Sequence, residues 1–155
     1  MKYIFNVDKE SQHINFGLLI GRVGIAALML THGIPKFIML FSDDSIKFAP
    51  IMGLSSELSL SLAIFAEVIC SFFLLLGFAT RLAVIPLMTT MLTAILFVHT
   101  TGPFSDKEPA LLYLLAYLVL LFMGSGKYSM DFFIHKRKSK EKKTFQSGSR
   151  MLSFQ

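Results

Sequence analysis

The chain has 155 residues, 54% of them hydrophobic, a mean hydropathy of +0.62 and a formal net charge of +5. A soluble domain of this length has no use for so much apolar surface, and too little chain lies outside the apolar runs to form a soluble catalytic domain. Cys70 is the single cysteine, which excludes intrachain disulfides, Cys-x-x-Cys redox pairs and multi-thiolate metal sites; in its apolar run it is expected to act as a small buried hydrophobe.

The first apolar run is Phe16–Phe41. Lys2, Asp8, Lys9 and Glu10 precede it, it is too long for a signal-peptide core, and no small-x-small site closes it, so it reads as a retained first span. It carries Arg22, His32 and Lys36. At about 100° per residue, Lys36 lies roughly 40° from each of the other two, so all three fit one stripe turned toward the bundle interior. Pro35 leaves the carbonyl of Thr31 without its helical donor, and a kink is expected there. Gly17 and Gly21 form a Gly-x-x-x-Gly pair joined by Gly24, read as close helix packing because no strand precedes them as a nucleotide loop requires.

Ser42–Glu57 is a loop with Asp43, Asp44 and Glu57 against Lys47. The second run, Leu58–Phe78, holds one charge, Glu67. A carboxylate at that depth is costly and should face protein, water or a partner. Counting about 1.5 Å per residue, Glu67 and His32 arrive at the same depth from opposite directions. A tight turn at Ala79–Arg81 leads to the third run, Leu82–Val98, which ends on His99. Thr100–Pro109, with Gly102, Pro103 and Pro109, is a second loop, and Glu108 precedes the fourth run, Ala110–Met123. Tyr113 and Tyr117 lie four apart on one face of that run. The third and fourth runs are short of the roughly 20 residues a span needs, and snorkelling flanks (Arg81, His99, Glu108, Lys127) complete them. Gly124–Ser125–Gly126 ends the last span. With no Trp in the chain, an aromatic belt falls to Tyr3, Tyr113, Tyr128 and nearby Phe.

Eleven basic residues (Lys2, Lys9, Arg81, Lys127 and seven in the tail) fall on one side of this arrangement, against Lys47 and Lys107 on the other. The four apolar runs predict an all-α fold, an integral membrane four-helix bundle, and the positive-inside bias puts both termini in the cytoplasm. Residues 1–15 are then a short cytoplasmic segment, 16–134 the four-span domain, and 135–155 a basic cytoplasmic tail expected to be disordered. The tail reads as a positive-inside anchor that also touches anionic lipid; without interleaved aromatics or a folded scaffold, nucleic acid is not expected as a partner.

The polar residues fall in two layers. His32, Lys36, Glu67, His99 and Glu108 are expected toward the outer half as a ligand-binding set, with Glu67 and His32 as a candidate catalytic proton relay. Arg22, Arg81 and Asp131 are expected near the inner surface as structural ion pairs. The plainer alternative is packing glue, each pair contributing on the order of 1 kcal/mol. His32, Glu67, His99 and Glu108 are metal-ligand types, but no Glu-x-x-His or His-x-x-x-His spacing supports a metal, and Ser71 lacks a Gly-x-Ser-x-Gly elbow.

Several short elements recur in order: Arg22 with Gly24, His32–Gly33 followed by Lys36, Glu67, then Leu75–Leu76–Gly77–Phe78–Ala79–Thr80–Arg81, His99, Glu108, and Gly124–Ser125–Gly126–Lys127–Tyr128–Ser129–Met130–Asp131. In this the chain resembles the DoxX family of small four-span membrane proteins over roughly 16–131. Ser125 and Met130 stand where family patterns often have Pro and Leu. The resemblance implies a bacterial inner-membrane protein, with relatives associated with thiosulfate:quinone oxidoreductase and with membrane oxidoreductase or thiol-stress complexes. Two functions remain open. One is a redox-linked subunit that binds a quinone head group and acts with a soluble or membrane redox partner, since the chain has no haem, flavin or iron–sulfur motif and no covalent cofactor is implied. The other is a non-catalytic assembly, anchor or partner subunit; homo-oligomerisation fits either. A small-solute carrier is less attractive for four short spans without an internal repeat.

Overall fold

Helices follow wherever the apolar runs are bounded by capping residues. A computed structural model describes residues 11–42, 48, 50, 51 and 53–137. Helix α1 runs Ser11–Leu40 and continues through Pro35. Helix α2, Ser56–Leu76, starts where the Ser55 hydroxyl accepts the Leu58 N–H at 3.3 Å, with Glu57 in its positive first turn. It ends on Gly77, whose φ of 67° is the left-handed conformation that stops a helix. Helix α3, Thr80–Val98, follows after two residues, and α4 is Phe104–Met123. A short helix α5 occupies residues 130–137. The expectations for the first ten residues and for the tail beyond residue 137 lie outside the described residues.

α1, α2 and α3 are each long and apolar enough to cross a membrane. α4 begins at Phe104, six residues before the predicted span, because Pro103 sets its N-cap, and it continues through Pro109, which leaves the Ser105 carbonyl without its helical donor. Its first turns carry Asp106, Lys107 and Glu108, so the apolar part is Ala110–Met123. The four helices form an all-helical bundle suited to a membrane. Its inside is filled by Ala26, Met29, Leu74, Val84, Leu87, Met91, Tyr117 and Leu120. Ile20, Leu28, Leu62, Phe72, Leu82, Leu96, Leu112 and Leu115 point outward as the lipid-facing surface. Polar groups on that surface are satisfied locally: the hydroxyls of Thr89, Thr90 and Thr93 donate to carbonyls one turn back, at 2.8–3.0 Å.

On α1 the buried stripe is Arg22, Ala26, Met29 and Gly33, a 4-3-4 spacing. Gly33 meets α2 at Glu67 and Arg22 meets it at Gly77, so the helices pack antiparallel with two contacts roughly 15 Å apart along the axis. The expected close packing at Gly17, Gly21 and Gly24 is not what the bundle does. A Cβ at any of the three would meet nothing within 4 Å. Arg22 takes the inward direction, so the three glycines, roughly 100–160° from it on the helical wheel, are turned away, and Gly17 and Gly21 line an apolar groove of about 460 Å³ between α1 and α4.

Candidate functional site

Glu67 is 2% exposed, and α2 delivers it to the bundle interior from a π-helical stretch, Phe65–Cys70. Such wide turns inside α-helices are frequent at functional positions. Gly33 makes the approach possible: a Cβ there would fall 2.8 Å from Val68 Cγ2 and 3.1 Å from the Glu67 backbone carbon. One turn further along α1, the Lys36 ammonium donates to Glu67 Oε1 at 2.5 Å. The other carboxylate oxygen, Oε2, is buried and has no hydrogen-bond partner among the described residues. Buried polar atoms in native proteins are nearly always satisfied, so an orphan acceptor in an ion pair marks a place where a donor belongs.

That donor has room. A cavity of about 280 Å³ is lined by Met29, His32, Lys36, Glu67, His99 and Tyr113, with Met91, Ala94, Asp106, Pro109 and Ala110 completing the wall. His32, Lys36, Glu67 and His99 are thus brought together from α1, α2 and the end of α3. His32 and Glu67 share the cavity as depth counting predicts, but the carboxylate's direct partner is Lys36. His32, expected to turn inward with Arg22 and Lys36, is exposed and reaches the cavity only along its rim, where it stands edge-on to Tyr113, centroids 5.9 Å apart. His99 follows a second π-helical stretch, Ala94–Val98. Glu108 does not join the cluster: it is exposed and absent from the cavity wall, and Asp106 takes that side. The two acids are two positions apart on a helix, hence on different faces, and only the start of α4 at Phe104 decides which turns inward.

Below the cavity the polar path continues. Tyr117 stacks on Tyr113 at 6.1 Å, is fully buried, and its hydroxyl has no partner among the described residues. Both tyrosines lie within electrostatic reach of the Glu67 carboxylate. Ser71, one turn after Glu67 on α2, is also fully buried with an orphan hydroxyl. The i, i+4 tyrosine pair is the sequence signal for this extension; nothing local marks Ser71. Among the described residues, no group of three or more His, Cys, Asp or Glu side chains could hold a metal ion.

The layer at the other end of the bundle, expected near the inner surface, is built from backbone groups more than from ion pairs. Arg22, 1% exposed, donates to the carbonyls of Ser125 at 3.2 Å and Tyr128 at 2.9 Å and lies on Gly77, where a Cβ would stand 1.8 Å from its Nη1. Asp131 accepts the N–H of Ala79 at 2.7 Å and of Thr80 at 3.1 Å, capping the start of α3 from another element and holding Ala79 at a φ of 47°. Arg81 donates to the Phe122 carbonyl at 3.3 Å. The sequence expectation of Arg22, Arg81 and Asp131 as ion pairs places the layer well, but charge meets backbone dipole there: helix ends expose unsatisfied amides and carbonyls that recruit these side chains first.

The sequence profile of the family described as DoxX matches residues 17–100, which spans α1 to α3 and includes Arg22, His32, Lys36, Glu67 and His99. Tyr113, Tyr117 and Asp131 lie beyond the matched region. A Haemophilus influenzae protein described as uncharacterized is 31% identical over 117 residues, covering 71% of this chain and 84% of its own. No solved structure matches the chain. With the arginine, histidine, lysine and glutamate held in one membrane bundle and more than half the sequence under the profile, the chain belongs to the DoxX family.

Proposed function

We propose that this chain is a redox-associated membrane subunit whose cavity takes a quinone head group. The observation that carries the reading is the unpartnered, buried Oε2 of Glu67 on the wall of a cavity that also holds His32, Lys36 and Tyr113. At about 280 Å³ the space suits a ring system and leaves the tail outside, being just below the roughly 300–1,000 Å³ usual for ligand pockets. A quinone supplies two-electron, two-proton chemistry, and its carbonyls need hydrogen-bond donors. His32 and Lys36 supply N–H donors, Met29 and Met91 pack the ring edge, and Glu67 accepts or holds a proton at Oε2. Tyr113 and Tyr117 extend that proton path inward. No electron carrier is encoded in the chain, so a partner protein or bound substrate supplies electrons. The bundle lies in a bacterial inner membrane with both termini cytoplasmic, in keeping with eleven basic residues on one side against two on the other.

The test is binding of a short-chain ubiquinone or menaquinone analogue to the purified chain in nanodiscs, followed by calorimetry. Saturable binding that weakens at least about tenfold in Glu67→Gln and His32→Ala, the loss of one charge-assisted contact, supports the proposal. No saturable binding by the unaltered chain rejects it. A second reading, a non-catalytic assembly or anchor subunit, draws on the inner layer, where Arg22 and Asp131 tie three separate segments together. It predicts that the same two substitutions change stability and co-purifying partners but no ligand affinity. A fluorescent protein fused to the C-terminus, which matures only on the cytoplasmic side, checks the orientation.

A further inference from the structure

At the end of the bundle opposite the Glu67 cavity lies a second, larger pocket of about 610 Å³, between the start of α3, the end of α4 and α5. Its wall holds Thr80, Arg81, Gly124, Ser125, Asp131 and His135, with apolar Leu82, Met123 and Phe132 beside them. We propose that this pocket binds a phosphate group, carried either by an anionic phospholipid head group at the membrane surface or by a soluble phosphate.

Three features point to that ligand. Arg81 is exposed and spends one N–H on the Phe122 carbonyl, and the guanidinium fork has five N–H donors in a geometry that suits phosphate. Gly124, at a φ of 77°, leaves the guanidinium uncovered: a Cβ there would start 3.5 Å from Arg81 Nε, and any longer side chain would close over it. His135 presents a further nitrogen donor from α5. The one carboxylate on the wall, Asp131, does not oppose an anion strongly, because both of its oxygens are already bonded to the Ala79 and Thr80 amides and Arg22 lies within electrostatic reach of it. The mixed wall, polar donors next to Leu82, Met123 and Phe132, matches a group that is charged at one end and joined to hydrocarbon at the other.

The experiment uses the full chain in neutral phosphatidylcholine nanodiscs, titrated with phosphatidylglycerol and, separately, with inorganic phosphate against chloride at matched ionic strength. Native mass spectrometry counts retained lipid, and thermal midpoint reports phosphate binding. One tightly retained phosphatidylglycerol per chain is expected, lost about tenfold in Arg81→Gln/His135→Gln and largely kept in Arg81→Lys, which preserves charge but not the fork. Lys138→Gln/Lys140→Gln/Lys142→Gln/Lys143→Gln, which discharges much of the tail, is expected to leave that one lipid in place. Protection by phosphate alone, sensitive to Arg81→Gln, identifies the soluble source. The proposal is overturned if neither ligand binds, or if binding survives Arg81→Gln/His135→Gln and disappears with the tail charges. Folding of each variant is controlled by its elution as a single species and by an unchanged helical spectrum.

Discussion

Replacing Lys36 with Met tests whether Glu67 depends on its partner. Glu67 is 2% exposed while Lys36 is 29% exposed, so the two ends of the pair have unequal access to water. Stripped of Lys36, the carboxylate has an orphan Oε2 and a second oxygen that has just lost its donor. Breaking a buried pair from one side costs about 3–5 kcal/mol. A bilayer softens this, since helices apart in lipid also find partners and single interhelical polar contacts average about 0.6 kcal/mol. Lys36→Met should therefore sit at the low end, about 3 kcal/mol. Glu67→Gln should cost only about 1 kcal/mol, because an amide still accepts from Lys36 and the long lysine stem can carry its ammonium toward water. The double variant Lys36→Met/Glu67→Gln should fall below the sum of the two, since no charge is left stranded. Reversible unfolding in mixed micelles, followed by far-ultraviolet circular dichroism, measures all three. A Lys36→Met cost equal to or below that of Glu67→Gln refutes the asymmetry and with it the interior placement of the carboxylate.

Gly77→Ala should lose well over about 3 kcal/mol and most of the monodisperse yield on gel filtration, since a Cβ there displaces the Arg22 guanidinium from two carbonyls and strains a φ of 67°. Gly21→Ala should leave the thermal midpoint unchanged or raise stability by up to about 1 kcal/mol, because the added methyl meets nothing and the helix gains propensity; a clear loss would mean that this face packs against another molecule. Asp131→Asn should cost about 1–2 kcal/mol and speed hydrogen exchange at the Ala79 and Thr80 amides, the cap it weakens, ahead of exchange in the rest of α3. Tyr117→Phe should leave stability unaltered or slightly higher, as its hydroxyl has no protein partner, while slowing any quinone-linked proton uptake.

The depth of each polar residue was legible because helical rise is constant and a lone charge in an apolar run has few places to go. Glu67, Arg22, Lys36 and the antiparallel meeting of α1 with α2 all follow from that arithmetic. Facing was harder. His32 and Lys36 differ by 40° on the wheel, and the choice of which one meets Glu67 rests on Gly33, whose missing side chain brings the backbones together. The π-helical stretches at Phe65–Cys70 and Ala94–Val98 have no composition of their own and break the 100° step on which wheel arguments depend. Asp106, which nothing in the sequence singled out, stands on the cavity wall in place of Glu108, because α4 begins at Phe104, six residues before the apolar run that marks the span. Gly17, Gly21 and Gly24 misled for a related reason: small-residue spacing says that close approach is allowed, and not that a neighbour uses it.

The Arg22 cradle has a consequence for the order in which the protein can be made. Its two acceptors, the carbonyls of Ser125 and Tyr128, lie 103 and 106 residues downstream. When α1 first enters the bilayer, the segment that will neutralise it has not been synthesised. The nascent helix must keep its guanidinium near the interface or in contact with the insertion machinery until α4 has crossed and the chain has turned at Gly124. Only then can the Arg22 end of α1 settle to its final depth. Completion of the cavity is in this sense gated from the far end of the sequence: a chain interrupted before residue 125 would contain every residue of the polar cluster, and could pair Lys36 with Glu67, yet would leave the Arg22 end of α1 without its two acceptors.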